Sequence, residues 1–318
     1  MLDTLSAIVP IFLIVAVGYG VTRAGVLKRE DMTPLSTYVV KVALPVLIFV
    51  NVSGRPLGEI LNATYLLIYA VAAMAMVGLI QLWVRARGVP PLRGATLSLA
   101  ASGTNNGFVG FPIFLLLLPG VVGPAISMDM IVDNVLIIPL GLVLFEAAAG
   151  EEMHWRRRLL GIVQRVLLHP LMVAIVLALL VTTFEISLPG MLDSALSLVA
   201  NSSSAVALFA IGGMLVGLNL GGQHADLAVG VTAKLLVMPA VAVGLALLLP
   251  MLGLPELDPD LRAAAILTCA LPSMSIVPAI GEQYGEGEFG AATQMLSTLL
   301  SGLTISGWLL GLAAVGWL

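Results

Sequence analysis

Apolar residues fill long stretches of this chain, and polar residues gather in short groups between them. A stretch of about 18 to 25 mostly apolar residues can cross a bilayer as a helix. The pattern predicts spans near 3–23, 34–53, 62–84, 94–119, 122–147, 163–183, 191–217, 226–250, 261–282 and 289–317. The connections are short, and none would hold a soluble domain. The longest polar runs are Glu151-Glu152-Met153-His154-Trp155-Arg156-Arg157-Arg158 and the acidic turn at Glu256, Asp258 and Asp260.

Two of these spans are interrupted. Asn105-Asn106-Gly107-Phe108-Val109-Gly110-Phe111-Pro112 lies inside the fourth, and Pro272-Ser273-Met274-Ser275-Ile276-Val277-Pro278 inside the ninth. Amides, glycines and prolines loosen helical hydrogen bonding where lipid offers no replacement. Such breaks are tolerated mainly where they line a cavity or bind something. Pro112, Pro272 and Pro278 are expected to maintain them.

Five spans in 1–150 and five in 151–318 would make the halves enter the membrane from opposite sides. The fold predicted is therefore an all-α polytopic membrane protein of ten helices, built as two inverted five-helix repeats. Basic residues set the orientation. Arg23, Lys28, Arg29, Arg85, Arg87, Arg93, Arg156, Arg157, Arg158 and Arg165 fall in odd-numbered loops, against Arg55 and Arg262 on the other side. The odd loops are expected to be cytoplasmic, with both termini on the outer face of an inner membrane.

Composition narrows the function. The chain is 59% hydrophobic and 10% charged, well below the roughly 25% charge of a soluble domain. It lacks a basic cluster with interleaved aromatics, so nucleic acid is not an expected partner. One cysteine, Cys269, excludes an internal disulfide, and His154, His169 and His224 have no metal-ligand spacing. No cofactor or metal is predicted. Nucleotide-binding loops, His-Glu-x-x-His and Gly-x-Ser-x-Gly are missing from the sequence. Val17-Gly18-Tyr19-Gly20 matches part of a potassium filter but sits within a full-length span. The Gly213/Gly217 and Gly307/Gly311 pairs suit close helix packing.

Four half-helix ends would converge if the broken spans met near the midplane. Helix N-termini offer unpaired N–H groups and partial positive charge, which suit an anion such as a carboxylate. Asn105 and Asn106 add amides, Ser273 and Ser275 hydroxyls, and Gly107 and Gly110 permit close approach. These six are the candidate substrate-binding residues. Charges inside spans are the other clue, because each costs at least about 2.5 kcal/mol at mid-bilayer. Lys234 lies deep in its span, whereas Lys41 can snorkel to the interface. Asp129 and Asp133, four apart, share a helix face, and Asp133 could carry a proton or form a fixed pair. Glu146 is expected at the interface.

Several segments together resemble the auxin efflux carrier family, bacterial relatives of the plant PIN transporters. They are Gly18-Tyr19-Gly20 with Arg23-Ala24-Gly25-Val26-Leu27, then Ala43-Leu44-Pro45, Asn105 with Gly110 and Pro112, and Leu144-Phe145-Glu146-Ala147-Ala148. Ala270-Leu271-Pro272 through Val277-Pro278 and Glu282-Gln283-Tyr284-Gly285 complete the set. The resemblance implies a fold like that of sodium/proton antiporters and bile-acid symporters, with crossed broken helices four and nine. It also implies a homodimer, elevator-type movement, and contact between Asn105 and a substrate carboxylate. The long cytoplasmic loop of plant members is absent, the third span lacks acids and bases, and His169-Pro170 stands where Asn-Pro is common.

The expected function is secondary active or facilitative transport of small organic anions, auxin-like or malate- and malonate-like, with Asp133, Asp129 and Lys234 as the candidates for coupling or charge support. The competing readings are a cation/proton antiporter or sodium-coupled symporter using Asp129 and Asp133, and a membrane anion sensor that transports nothing.

Overall fold

The computed structural model describes residues 2–53, 61–150, 168, 170–184, 186, 188–214, 216–217 and 224–317. Expectations that rest on Arg55, on 151–167 and on His169 lie outside them. Among the described residues the protein is helical almost throughout. The helices are α1 (Leu2–Arg23), α2 (Met32–Tyr38), α3 (Leu44–Val52), α4 (Ala63–Arg87), α5 (Pro91–Ser102), α6 (Phe111–Leu117), α7 (Val122–Val132) and α8 (Ile138–Ala149). They continue as α9 (Pro170–Thr183), α10 (Gly190–Met214), α11 (His224–Thr232), α12 (Met238–Met251), α13 (Pro259–Ala270), α14 (Val277–Glu282) and α15 (Gly287–Ala314). Helices over Ala63–Arg87, Val122–Ala149, Gly190–Met214, Ala225–Met251 and Gly287–Ala314 are long and apolar enough to cross a membrane. Leu13–Arg23 and Asn106–Leu117 are shorter apolar helices.

Wide π-helical turns occupy Val39–Ala43, Asn106–Gly110, Asp133–Ile137 and Ala233–Val237. Each is followed, two residues on, by a proline: Pro45, Pro112, Pro139 or Pro239. The coincidence has a steric reason. A proline ring clashes with the carbonyl four residues back and supplies no N–H to it, and a widened turn moves that carbonyl aside. At Pro239 the carbonyl released is that of Leu235, which accepts a hydrogen bond from the Trp308 indole at 3.0 Å.

Contacts divide the chain into two units. The first comprises Met1–Asn62, Asn106–Met130 and Gln164–Gly217. Its central contact is α1 against α10, where backbones meet. A Cβ on Gly18 would lie 2.1 Å from the Phe209 carbonyl oxygen, and one on Gly212 2.0 Å from that of Val15. Gly213 is likewise filled against, by Met32 and Thr22. Tyr38 and Ser202 join their hydroxyls at 2.7 Å in the same unit.

The second unit comprises Ala63–Asn105, Ile131–Val163 and Leu218–Leu318. Helix α4 turns a stripe of Tyr65, Ile68, Tyr69, Ala72, Ala73, Met76 and Ile80 inward, at the spacing of one helix face. The short helices α5 and α13 are buried along nearly their whole length. Their alanines, among them Ala95, Ala100, Ala101, Ala263, Ala264 and Ala265, let neighbouring helices come close. Leu82, Leu247 and Leu303 point outward, as lipid-facing side chains would. Gly307 and Gly311 have open space where a Cβ would go, so they pack against nothing among the described residues.

Candidate functional site

Helix α5 stops at Ser102 and α13 at Ala270, leaving carbonyls without helical partners at both C-termini. The chain satisfies them by pairing the two breaks. Thr104 and Ser273 form an antiparallel bridge, and the Asn105 N–H donates to the Pro272 carbonyl at 2.9 Å. The Ser273 hydroxyl donates to the Ala100 carbonyl at 2.7 Å, in the last turn of α5. Its own N–H goes to the Ser297 hydroxyl of α15 at 3.1 Å. Lys234 performs the matching task at α13, its ammonium lying 3.4 Å from the Cys269 carbonyl and 3.0 Å from the Met238 sulfur. A cation at a helix C-terminus is favourable, and this one is completely buried.

Two tyrosines of α4 complete the cluster. Tyr65 shares a hydrogen bond with Thr268 at 2.9 Å. Tyr69 donates to the Asp133 carboxylate and is also bonded to Thr104 at 2.8 Å. Tyr65, Tyr69, Thr104, Asp133, Lys234, Thr268 and Ser273 are all buried. The unit thus buries the acid Asp133, bonded to Tyr69, which is itself bonded to Thr104 at one break, and the base Lys234, bonded to Cys269 beside the other.

The residues singled out from sequence divide as follows. Asn105, Pro272, Ser273, Pro278, Asp133 and Lys234 belong to the second unit; Asn106, Gly107, Gly110, Pro112 and Asp129 belong to the first. Asn105 and Asn106 are buried, as is Asp129, while Ser275 is exposed. Pro272 sits at its break and lends its carbonyl to Asn105. Pro278 and Pro112 lie one step beyond, in the first turns of α14 and α6. Lys41 is exposed. Glu146 departs from expectation: it is only 6% exposed, because Tyr284 donates to its carboxylate and stacks on Phe145 at 4.8 Å. Two separated sequence segments, Leu144–Ala148 and Glu282–Gly285, therefore meet. Among the described residues no group of histidine, cysteine or acidic side chains could hold a metal ion.

Sequence reasoning missed Gly103, Thr104, Tyr65, Tyr69 and Ser297. At Gly103 the breaks approach so closely that a Cβ would lie 2.7 Å from the Met274 sulfur. A glycine-threonine pair just before two asparagines was the available clue.

A profile described as "Membrane transport protein" matches residues 3–309. The chain belongs to this family, the auxin efflux carrier group. Together with the apolar helices, membership makes it an integral membrane protein. Among its relatives in the family is a Rhizobium meliloti (strain 1021) protein named "Putative malonate transporter". It is 28% identical over 314 residues, spanning 97% of this chain and 96% of that protein. An "Uncharacterized transporter" of Methanothermobacter thermautotrophicus is 24% identical over 310 residues, 95% and 96% of the two chains. The "Uncharacterized transporter YfdV" of Escherichia coli (strain K12) is 24% identical over 244 residues, 73% of this chain and 74% of its own. The family and these relatives are transporters, not enzymes.

Proposed function

We propose that this membrane transport protein is a secondary transporter of small organic anions, with dicarboxylates of malonate size as the first class to test. The observation that carries the reading is the paired break: an apolar unit keeps buried amide, hydroxyl and backbone groups at Asn105 and Ser273. Polar groups inside a membrane protein are expensive and mark substrate paths. The relative named as a malonate transporter supports the choice of anion. Asn105 binds a substrate carboxylate through its amide.

The larger frame belongs to the same proposal. Ten spans form two inverted five-helix repeats with crossed fourth and ninth helices, in an inner membrane with both termini outside. The protein works as a homodimer by elevator-type alternating access, and the unit holding the paired breaks carries the anion. A cation/proton antiporter or sodium-coupled symporter using Asp129 and Asp133 is the second reading, favoured by the burial of both acids.

Equilibrium binding separates them. Purified wild-type protein should bind malonate, and Asn105→Ala should weaken binding at least tenfold, about 1.4 kcal/mol, while eluting as the same folded species. Undiminished binding by Asn105→Ala would remove Asn105 from the site. Sodium binding that Asp133→Asn abolishes, with no anion bound, would favour the antiporter.

A further inference from the structure

The Asp133 carboxylate is 3% exposed, and a charge held there needs hydrogen bonds to persist. Tyr69 supplies one, and that fixes a direction. A tyrosine hydroxyl has a single hydrogen; because Tyr69 gives it to Asp133, its bond with Thr104 must be donated by Thr104. With Asp133 ionised, hydrogens point from Thr104 to Tyr69 to the carboxylate. One proton added to the carboxylate reverses the row: Asp133 donates to Tyr69, Tyr69 to Thr104, and the Thr104 hydrogen turns toward another acceptor. Thr104 is paired with Ser273 in the bridge between the breaks, so the reversal is felt at the backbone next to Asn105. The proton that enters leaves again from the same carboxyl oxygen, and no other group changes its proton count.

Tyr69 is the titratable group bonded to Asp133 from α4, whose other members are Tyr65, bonded to Thr268, and Arg85 and Arg87 in its last turn. Helix α5 packs on α8, and its one charged side chain is Arg93 in its first turn, engaged with Glu286 at 3.2 Å and Asp226 at 3.9 Å. On the helix of Asp133 itself, Asp129 lies four residues earlier, and Glu146 is held by Tyr284. Lys234, on a π turn packed against α4 and α5, is a buried cation.

The geometry points to Asp133, Tyr69 and Thr104 as a hydrogen-bond relay ending at the paired breaks, which passes on the protonation state of Asp133 without moving its proton, so that the organic anion crosses with one proton carried on Asp133. This rests on the anion-transport reading. Tyr69 and Thr104 are positioning residues in it, and Asp133 is the proton site.

Infrared difference spectroscopy on protein reconstituted in lipid, titrated over pH with and without malonate, tests the relay without requiring transport. A protonated-carboxyl band should titrate in wild type and vanish in Asp133→Asn. Its midpoint should move by about one pH unit in Tyr69→Phe, the scale of one hydrogen bond to a charge, and malonate should change its amplitude. Tyr69→Phe removes one oxygen, so the test survives if Asp133→Asn fails to fold. In proteoliposomes enclosing a pH dye, malonate entry should acidify the lumen, and Tyr69→Phe should flatten the dependence of uptake on an imposed pH gradient. A band that Tyr69→Phe leaves in place, or malonate entry without protons, would overturn the relay. A band that behaves as expected in protein that moves no anion would uphold the proton site and bring down the transport reading instead.

Discussion

The Leu235 carbonyl shows how single residues set this protein's chemistry. Proline at 239 denies it a helical donor, and the Trp308 indole, 73 positions away in sequence, takes over. Leaving a buried carbonyl without a partner costs about 1–3 kcal/mol, so Trp308→Phe should lower unfolding stability by that order. Pro239→Ala returns a backbone N–H to the neighbourhood, so the double variant should lose less than the two single losses added together, by about 1 kcal/mol. Thermal unfolding of the four proteins in one detergent measures this, and strict additivity would mean that Trp308 does not replace the missing donor. The Lys234 ammonium serves the Cys269 carbonyl by the same logic, with a full charge in place of an indole.

At the scale of elements, close approach separates glycines that look alike in sequence. Gly18 and Gly212 let the backbones of α1 and α10 touch, whereas Gly307 faces open space. Gly18→Ala must drive the two helices apart, a strain of about 1–3 kcal/mol. Gly307→Ala should stabilise by about 0.5–1 kcal/mol through helix propensity alone. Melting curves of both variants give the comparison, and equal effects would contradict the α1–α10 contact. The same contrast explains what was legible in the chain. Apolar length reveals helices because lipid demands it, and Asn105, Asn106 and Pro272 betray the breaks because polar groups and prolines are conspicuous among leucines. Tyr65 and Tyr69 were not readable: aromatic residues at helical spacing look like ordinary core, and only their distant partners Thr268 and Asp133 give them a role. The π turns were hidden for a different reason, since Pro139 and Pro239 sit in apolar runs whose composition is that of an unbroken span.

For the whole molecule, the buried groups from Asp133 through Tyr69 and Thr104 to Ser273 form a connected set in the second unit. The Thr104–Ser273 pairing joins a hydroxyl row reaching Asp133 to the bonds that Ser273 makes with Ala100 and Ser297. Such an arrangement costs stability in a membrane, and a carrier is the use of it that family membership supports. The decisive measurement is anion-dependent current from purified protein in sealed proteoliposomes. It should be challenged with malonate, other aliphatic mono- and dicarboxylates, indole-3-acetate and sodium salts, beside Asn105→Ala. The account predicts a current that follows the carboxylate, ignores sodium, and falls at least tenfold in Asn105→Ala. Silence toward every anion, or an anion current that Asn105→Ala leaves intact, would contradict it.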